Sequence, residues 1–381
     1  MNRRRPHLNG LTSLRFIAAI TIFILHARNH DLIPDSILSS FDLSKSVSLF
    51  FVLSGFVISY AYSNRNASFF QFIRARFARI WPAAVLSIFF VLFLLPRNLY
   101  LPAPDSGWST STILLLSLLG LQAWIPVPAF FFSFNAVLWS ISAELFFYLC
   151  FPFLRKFSVA RLLALFLLLF IAILSVAFLL DHFDFPSFGL NTHNNFVWQG
   201  LIYINPVSRL PEFVLGIIGY RIVYSEIFFN SYGILNRSSS YRLKLLSKIL
   251  ATVSIFLFFY LIFHGFNWGV AIPVQLIIDR ILSSSCCLFL IVCVATCQGT
   301  LVQFLERPFM VALGQVSYGV YLYHQPLMIR AAQAGGIKFA GIQILPAEFT
   351  AVFAWTMIVS AVSYRFFEEP LNQFIRANHS G

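Results

Sequence analysis

Two ionisable residues, Arg15 and His26, lie inside the apolar run 11–28, where their presence has to be explained by chemistry. They are 11 residues apart, which on a helix brings them to within about 20° of the same direction and about 16.5 Å apart along the axis. Such a stripe suits a long, narrow ligand with an anionic part near Arg15 and a reactive end near His26. There the imidazole could act as a general base or as a nucleophile. The plainer alternatives are an arginine snorkelling at a membrane boundary and a histidine hydrogen-bonded between helices. Glu144, closing Trp139-Ser-Ile-Ser-Ala-Glu144, opens another apolar run and needs a partner. It could set the tautomer of His26, or tie to Arg15 or to Arg209.

Arg74, Arg76 and Arg79 cluster before Ile80-Trp81-Pro82. Forked guanidinium donors match phosphate oxygens, although basic residues at a helix end also serve as plain anchors. Ser54-Gly55-Phe56 sits mid-run, where glycine permits close helix packing. Arg209 and Glu212 are three residues apart, suited to an intrahelical pair with a structural role. Tyr318, Tyr321 and His324 share adjoining turns of one face. They could be interface anchors, or hydroxyls lining an acceptor entrance. Glu368-Glu369-Pro370 reads as a helix boundary. The five cysteines form no Cys-x-x-Cys pair and have no neighbouring histidine, so they are read as small buried hydrophobes and no metal is expected.

The elements that must position these groups follow from composition. Of 381 residues, 59% are hydrophobic and 10% charged, and 46 are Phe. An ordinary soluble domain has roughly a quarter of its residues charged, so a soluble globular fold is excluded. Long apolar runs without alternation point to helices, not to a barrel. The net charge of +12 reports loop orientation and contact with anionic membrane lipid, and nucleic acid is not an expected partner. Met1 to Arg5 and the apolar run after them resemble a signal peptide. Arg15 interrupts that run and no small-residue cleavage site follows, so it is read as a retained first crossing.

Apolar runs fall near 11–28, 44–62, 77–95, 111–125, 137–154, 159–180, 203–224, 247–263, 273–296, 309–330 and 347–367. Basic groups at Arg3–Arg5, Arg65–Arg79, Arg155–Arg161, Arg221–Lys248 and Arg307 mark the cytoplasmic loops. Tyr100–Ser109 and Pro126–Asn135 then both lie outside, although the run 111–125 separates them. That run is therefore predicted to re-enter or lie shallow. The expectation is an all-α polytopic membrane protein of about ten crossings plus one re-entrant segment, with both termini cytoplasmic. One membrane domain over 1–381, with no appended soluble domain, is expected.

Together these segments resemble the membrane acyltransferase-3 family, the integral acyltransferases that O-acylate bacterial surface sugars and some small molecules. The likeness covers nearly the whole chain. Its Arg-ten-residues-His motif is similar to Arg15 through His26, its Ser-Gly-Phe motif to Ser54-Gly55-Phe56, and its Arg-x-x-Arg-Ile-x-Pro motif to Arg76 through Pro82. Its Trp-Ser-x-Ser-x-Glu motif resembles Trp139 through Glu144. Its Arg-x-x-Glu-Phe-x-x-Gly stretch resembles Arg209 through Gly216, and its Ile-Ser-Tyr-x-x-Tyr-Leu-x-His-x-Pro motif resembles Val316 through Pro326. Each is weak alone, and six in order are specific. Where members often carry Asp-Gly-Leu-Arg, this chain has Asn9-Gly10-Leu11-Thr12, yet the Arg15 to His26 interval is kept.

The resemblance implies O-acyl transfer, usually acetyl, from cytoplasmic acetyl-CoA to a hydroxyl of a surface or exported glycan at the outer face of a bacterial inner membrane. It implies catalytic roles for His26, Arg15 and Glu144, with Glu144 orienting or charge-stabilising His26. Donor contacts are implied for Arg76, Arg79, Arg15 and Ser54, and acceptor contacts for Tyr318, Tyr321, His324 and Trp139. A transporter or flippase is the rival class, because buried Arg, His and Glu also mark substrate pathways. Against it stands the absence of a repeated half with matching broken helices. A structural scaffold would leave these costly residues dispensable.

Overall fold

The computed structural model describes residues 8–34, 42–63, 65, 67–100, 107–189, 192–225, 245, 249, 252–260, 264, 269–297, 299–334, 338–339, 342–343 and 345–377. The N-terminal arginines, most of the basic segment Arg221–Lys248 and both ends of the run 247–263 lie outside them. Apolar helices dominate: α1 (Asn9–Asn29), α2 (Ser46–Tyr62), α3 (Phe69–Leu94), α4 (Thr110–Leu119), α5 (Leu138–Leu154), α6 (Val159–His182), α7 (Pro206–Val223), α8 (Ile272–Thr296), α9 (Pro308–Gln333) and α10 (Leu345–Ser363). A two-residue antiparallel ribbon pairs Lys338–Phe339 with Ile342–Gln343.

Seven segments among the described residues are long and apolar enough to cross a membrane, built on α1, α2, α3, α6, α7, α8 and α10. The polytopic all-α architecture read from the sequence is thus the one the chain adopts. The run 111–125 forms only the ten-residue α4 followed by a turn at Gln122–Trp124. Ten residues span about 15 Å, half a hydrocarbon core, so this segment is too short to cross. It leans on α5 instead: Ser142 donates to the Gly120 carbonyl at 2.5 Å and the Gln122 amide to the Leu138 carbonyl at 3.0 Å.

Sequence-local signals set where the functional helices begin. Ser68 and Gln71 cap α3 reciprocally, with Gln71 N–H on the Ser68 hydroxyl at 3.3 Å and Ser68 N–H on the Gln71 side-chain Oε1 at 3.0 Å. This capping box fixes the start of the helix whose second and third turns carry Arg74, Arg76 and Arg79. Asn205 caps α7 through the Val207 N–H at 2.9 Å, with Pro206 in the first turn.

Two helix pairs form the inner scaffold. α1 runs along α9, and α2 along α7. Both approaches are close because glycines remove the side chains between them. A Cβ at Gly55 would fall on the Phe213 carbonyl oxygen, and one at Gly216 on that of Val52. The first pair carries His26 opposite His324, and the second sets Ser54 toward α5. The periphery is apolar: Leu163, Leu167, Leu168, Ile171 and Phe178 of α6 are exposed, as a lipid-facing helix requires.

Candidate active site

The residues singled out from the sequence gather in two groups along the Arg15–His26 stripe. At the end nearer the N-terminus of α1, Glu144 of α5 accepts from the Ser54 hydroxyl at 3.0 Å and from the Tyr148 hydroxyl at 2.5 Å. Glu144, Tyr148 and Arg76 are the electrostatic neighbours of Arg15, and the same set with Arg15 surrounds Arg79. Three helices thus bring three guanidiniums around one carboxylate, and a fourth, α2, adds the Ser54 hydroxyl. Arg76 also lies over the Tyr62 ring, 5.4 Å from its centre, and its Nε has no hydrogen-bond partner among the described residues. Arg79 is exposed. A cation excess with spare donors is what phosphate oxygens require. Arg74 is exposed and is not among the electrostatic neighbours of Arg15 or Arg79.

His26 occupies the other end. Its Nδ1 lies 2.6 Å from Nε2 of His324, and His324 Nδ1 lies 2.9 Å from the Val320 carbonyl oxygen. A carbonyl only accepts, so His324 Nδ1 carries a proton and, in the neutral ring, its Nε2 is the acceptor. His26 must then donate from Nδ1, which leaves Nε2 of His26 with a free lone pair. The ring centres are 4.9 Å apart and the planes differ by 9°. That separation is the N···N gap plus one ring radius on either side. The rings are therefore coplanar and edge to edge, as an in-plane N–H···N bond demands, and are not stacked face to face.

Glu144 does not serve His26. Of the alternatives open from the sequence, the structure gives Glu144 to Ser54 and Tyr148 beside Arg15, and gives His26 to His324. Arg209 is occupied as well, by Glu212 at 3.0 Å, with both side chains 1% exposed. Its guanidinium is stacked over Phe51, Trp139 and Tyr203, at 5.1, 5.7 and 4.8 Å from the ring centres.

His26 opens onto a vestibule of about 600 Å³ lined also by Asn29, His30, Trp139, Tyr203 and Tyr321. The face shared by Tyr318, Tyr321 and His324 is divided there. Tyr321 lines the vestibule, its hydroxyl 2.7 Å from that of Ser140. His324 is fully buried behind His26. Tyr318 donates to the Ile80 carbonyl at 2.7 Å, tying α9 to α3 away from the vestibule. Of the four residues read as acceptor contacts, Trp139 and Tyr321 line this space; Tyr318 and His324 do not.

Three participants were missed in the sequence. Tyr148 stands four residues after Glu144 and was recoverable from helical spacing. Ser140 and Tyr203 come into place only through tertiary packing. Among the described residues no cluster of His, Cys, Asp or Glu is arranged to hold a metal ion.

The acyltransferase-3 model, described as an acyltransferase domain, matches residues 8–365. The chain is similar to the acyltransferase MdmB of Streptomyces mycarofaciens, 33% identical over 233 residues. The alignment takes in 57% of this chain and 58% of that protein, so the chain spans somewhat over half the length of the relative it matches. No solved structure matches it significantly. The family match runs through every helix that contributes a side chain to the two groups, and the chain therefore belongs to the acyltransferase-3 family.

Proposed function

We propose that the chain is an integral membrane O-acyltransferase that moves an acetyl group from cytoplasmic acetyl-CoA to a hydroxyl of a surface or exported glycan. In this reading the phosphates of coenzyme A lie against Arg76 and Arg79, the pantetheine arm passes Arg15, and the thioester reaches His26. The acceptor hydroxyl enters from the vestibule past Trp139 and Tyr321. Nε2 of His26 takes the hydroxyl proton as the oxygen attacks the thioester carbonyl. The C–S bond then breaks, and the leaving thiolate takes the proton back from His26. The proton lent is the proton returned, and no metal is called for. With both termini read as cytoplasmic from the positive loops, the Arg15 end meets the donor and the vestibule opens toward the outer face.

The observation that carries this reading is the histidine pair, since a ring locked in one tautomer, with a basic nitrogen left free and a cavity beside it, is what a general base needs. The test is label transfer from acetyl-labelled coenzyme A to surface glycans in membranes holding the wild-type chain or His26→Ala at matched protein levels. Label that requires both the chain and His26 is expected. Full transfer by His26→Ala would remove His26 from the reaction, and substrate flux without any transfer would favour a transporter.

A further inference from the structure

A second cavity adjoins the vestibule and is claimed by none of the roles above. Its volume is about 160 Å³, and Ser44 and Tyr203 line both spaces. Pockets that hold a whole drug-sized ligand run to roughly 300–1,000 Å³. The smaller cavity therefore suits one unit of a larger molecule whose remainder occupies the vestibule.

Its lining is charged but balanced. Lys45, Arg209 and Arg280 face it together with Asp42 and Asp279, and Glu212 is paired to Arg209 from behind. Three cations against three carboxylates leave no net charge for an ionic occupant to neutralise, and a bare ion would be desolvated without recompense. Yet the cavity still asks for hydrogen bonds. Arg209 is buried, lines the cavity, and has an Nη1 with no hydrogen-bond partner among the described residues. Its stacking on Tyr203 and its tie to Glu212 hold it in place, as Arg280 is held by the Ile202 carbonyl at 2.6 Å. An unmet buried donor is costly unless a ligand oxygen meets it. Carboxylates, Gln275 and serines alongside supply acceptors and further donors, the complement of hydroxyls that both give and take.

We propose that this cavity is a second sugar subsite, so that the acceptor presents at least two linked units, with a neutral, hydroxyl-rich unit seated by Arg209 while its neighbour is acylated at His26. This rests on the acyl-transfer reading and deepens it. The test gives membranes acetyl-labelled coenzyme A together with the host's own surface glycan, both whole and cut down to single sugar units. Fragments of two or more units should have an acceptor KM at least tenfold below that of single units, about 1.4 kcal/mol. Asp279→Asn and Gln275→Ala should each cut that preference several-fold, without raising the acetyl-CoA concentration needed for half-maximal rate. Single units accepted as well as longer ones, a requirement for an acidic neighbour, or variants that slow every acceptor alike would overturn the subsite. If the wild-type chain transferred no label to any acceptor, the acyl-transfer reading itself would fall. The two failures are therefore distinguishable.

Discussion

His26 and His324 share a plane: an N–H···N bond of 2.6 Å joins them edge to edge, and the Val320 carbonyl behind His324 fixes which nitrogen donates. The pair is a relay of orientation. A carbonyl of the α9 backbone decides the tautomer of a ring on α1 and leaves Nε2 of His26, a residue that lines the vestibule, with its lone pair free.

His324 is thus a positioning residue, and its replacement should act through His26. His324→Ala is expected to lower kcat about 10²-fold and to move the acid limb of the kcat–pH profile, because His26 loses its tautomer lock. His324→Gln, which can still present an oxygen to Nδ1–H, should recover part of the rate. A drop in folded protein with kcat per molecule and pH profile unchanged would reduce His324 to packing.

How much of this was legible in the sequence depends on distance along the chain. The common face of Arg15 and His26 follows from the helical repeat alone, and the Arg209–Glu212 pair from a three-residue spacing. The short α4 was readable from the charge of its flanking loops. The partner of His26 was not. His324 lies 298 positions away, and only the close pairing of α1 with α9 brings it near. Glu144 was a reasonable partner by charge, but periodicity does not give depth between helices, and α5 places that carboxylate beside Arg15.

The arginine group predicts where donor affinity resides. With Arg76 and Arg79 replaced together by Ala, the acetyl-CoA KM should rise by at least tenfold, since each charge-assisted hydrogen bond to phosphate contributes about 1.5–3 kcal/mol. kcat at saturating donor should change far less, because neither side chain approaches His26. Titration of acetyl-CoA against initial rate checks this. An unchanged donor dependence would take both arginines out of the donor site.

His30, just beyond α1, gives a pH dependence of stability. Burial holds its imidazole below the ordinary value of 6.5, against the opposing pull of Asp31. Below that value the unfolded chain binds the proton and the folded chain resists it. Folding stability contributed here is therefore lost as pH falls through the ordinary value toward the depressed one, and levels off beneath it. Thermal midpoints of purified protein at about pH 7 and about pH 5 should drop less for His30→Gln than for wild type. Equal drops in the two proteins would show that other groups carry the acid sensitivity.

The approach of α2 to α7 predicts a coupled packing defect. Gly55→Ala would drive a methyl group onto the Phe213 carbonyl oxygen, and Gly216→Ala would do the same to Val52. Neither obstacle is a flexible side chain, so the helices must separate, at a cost of about 1–3 kcal/mol. The two sites act on one interface. Once the first methyl has parted the helices, the second meets less resistance, and the double variant should lose clearly less than the two single losses combined. The separation should also reach the chemistry, since Ser54 precedes Gly55 and holds Glu144 at 3.0 Å. Each single variant should therefore lower the thermal midpoint and raise the acetyl-CoA KM together. Strictly additive losses of stability would mean that the two glycines do not report on a common contact.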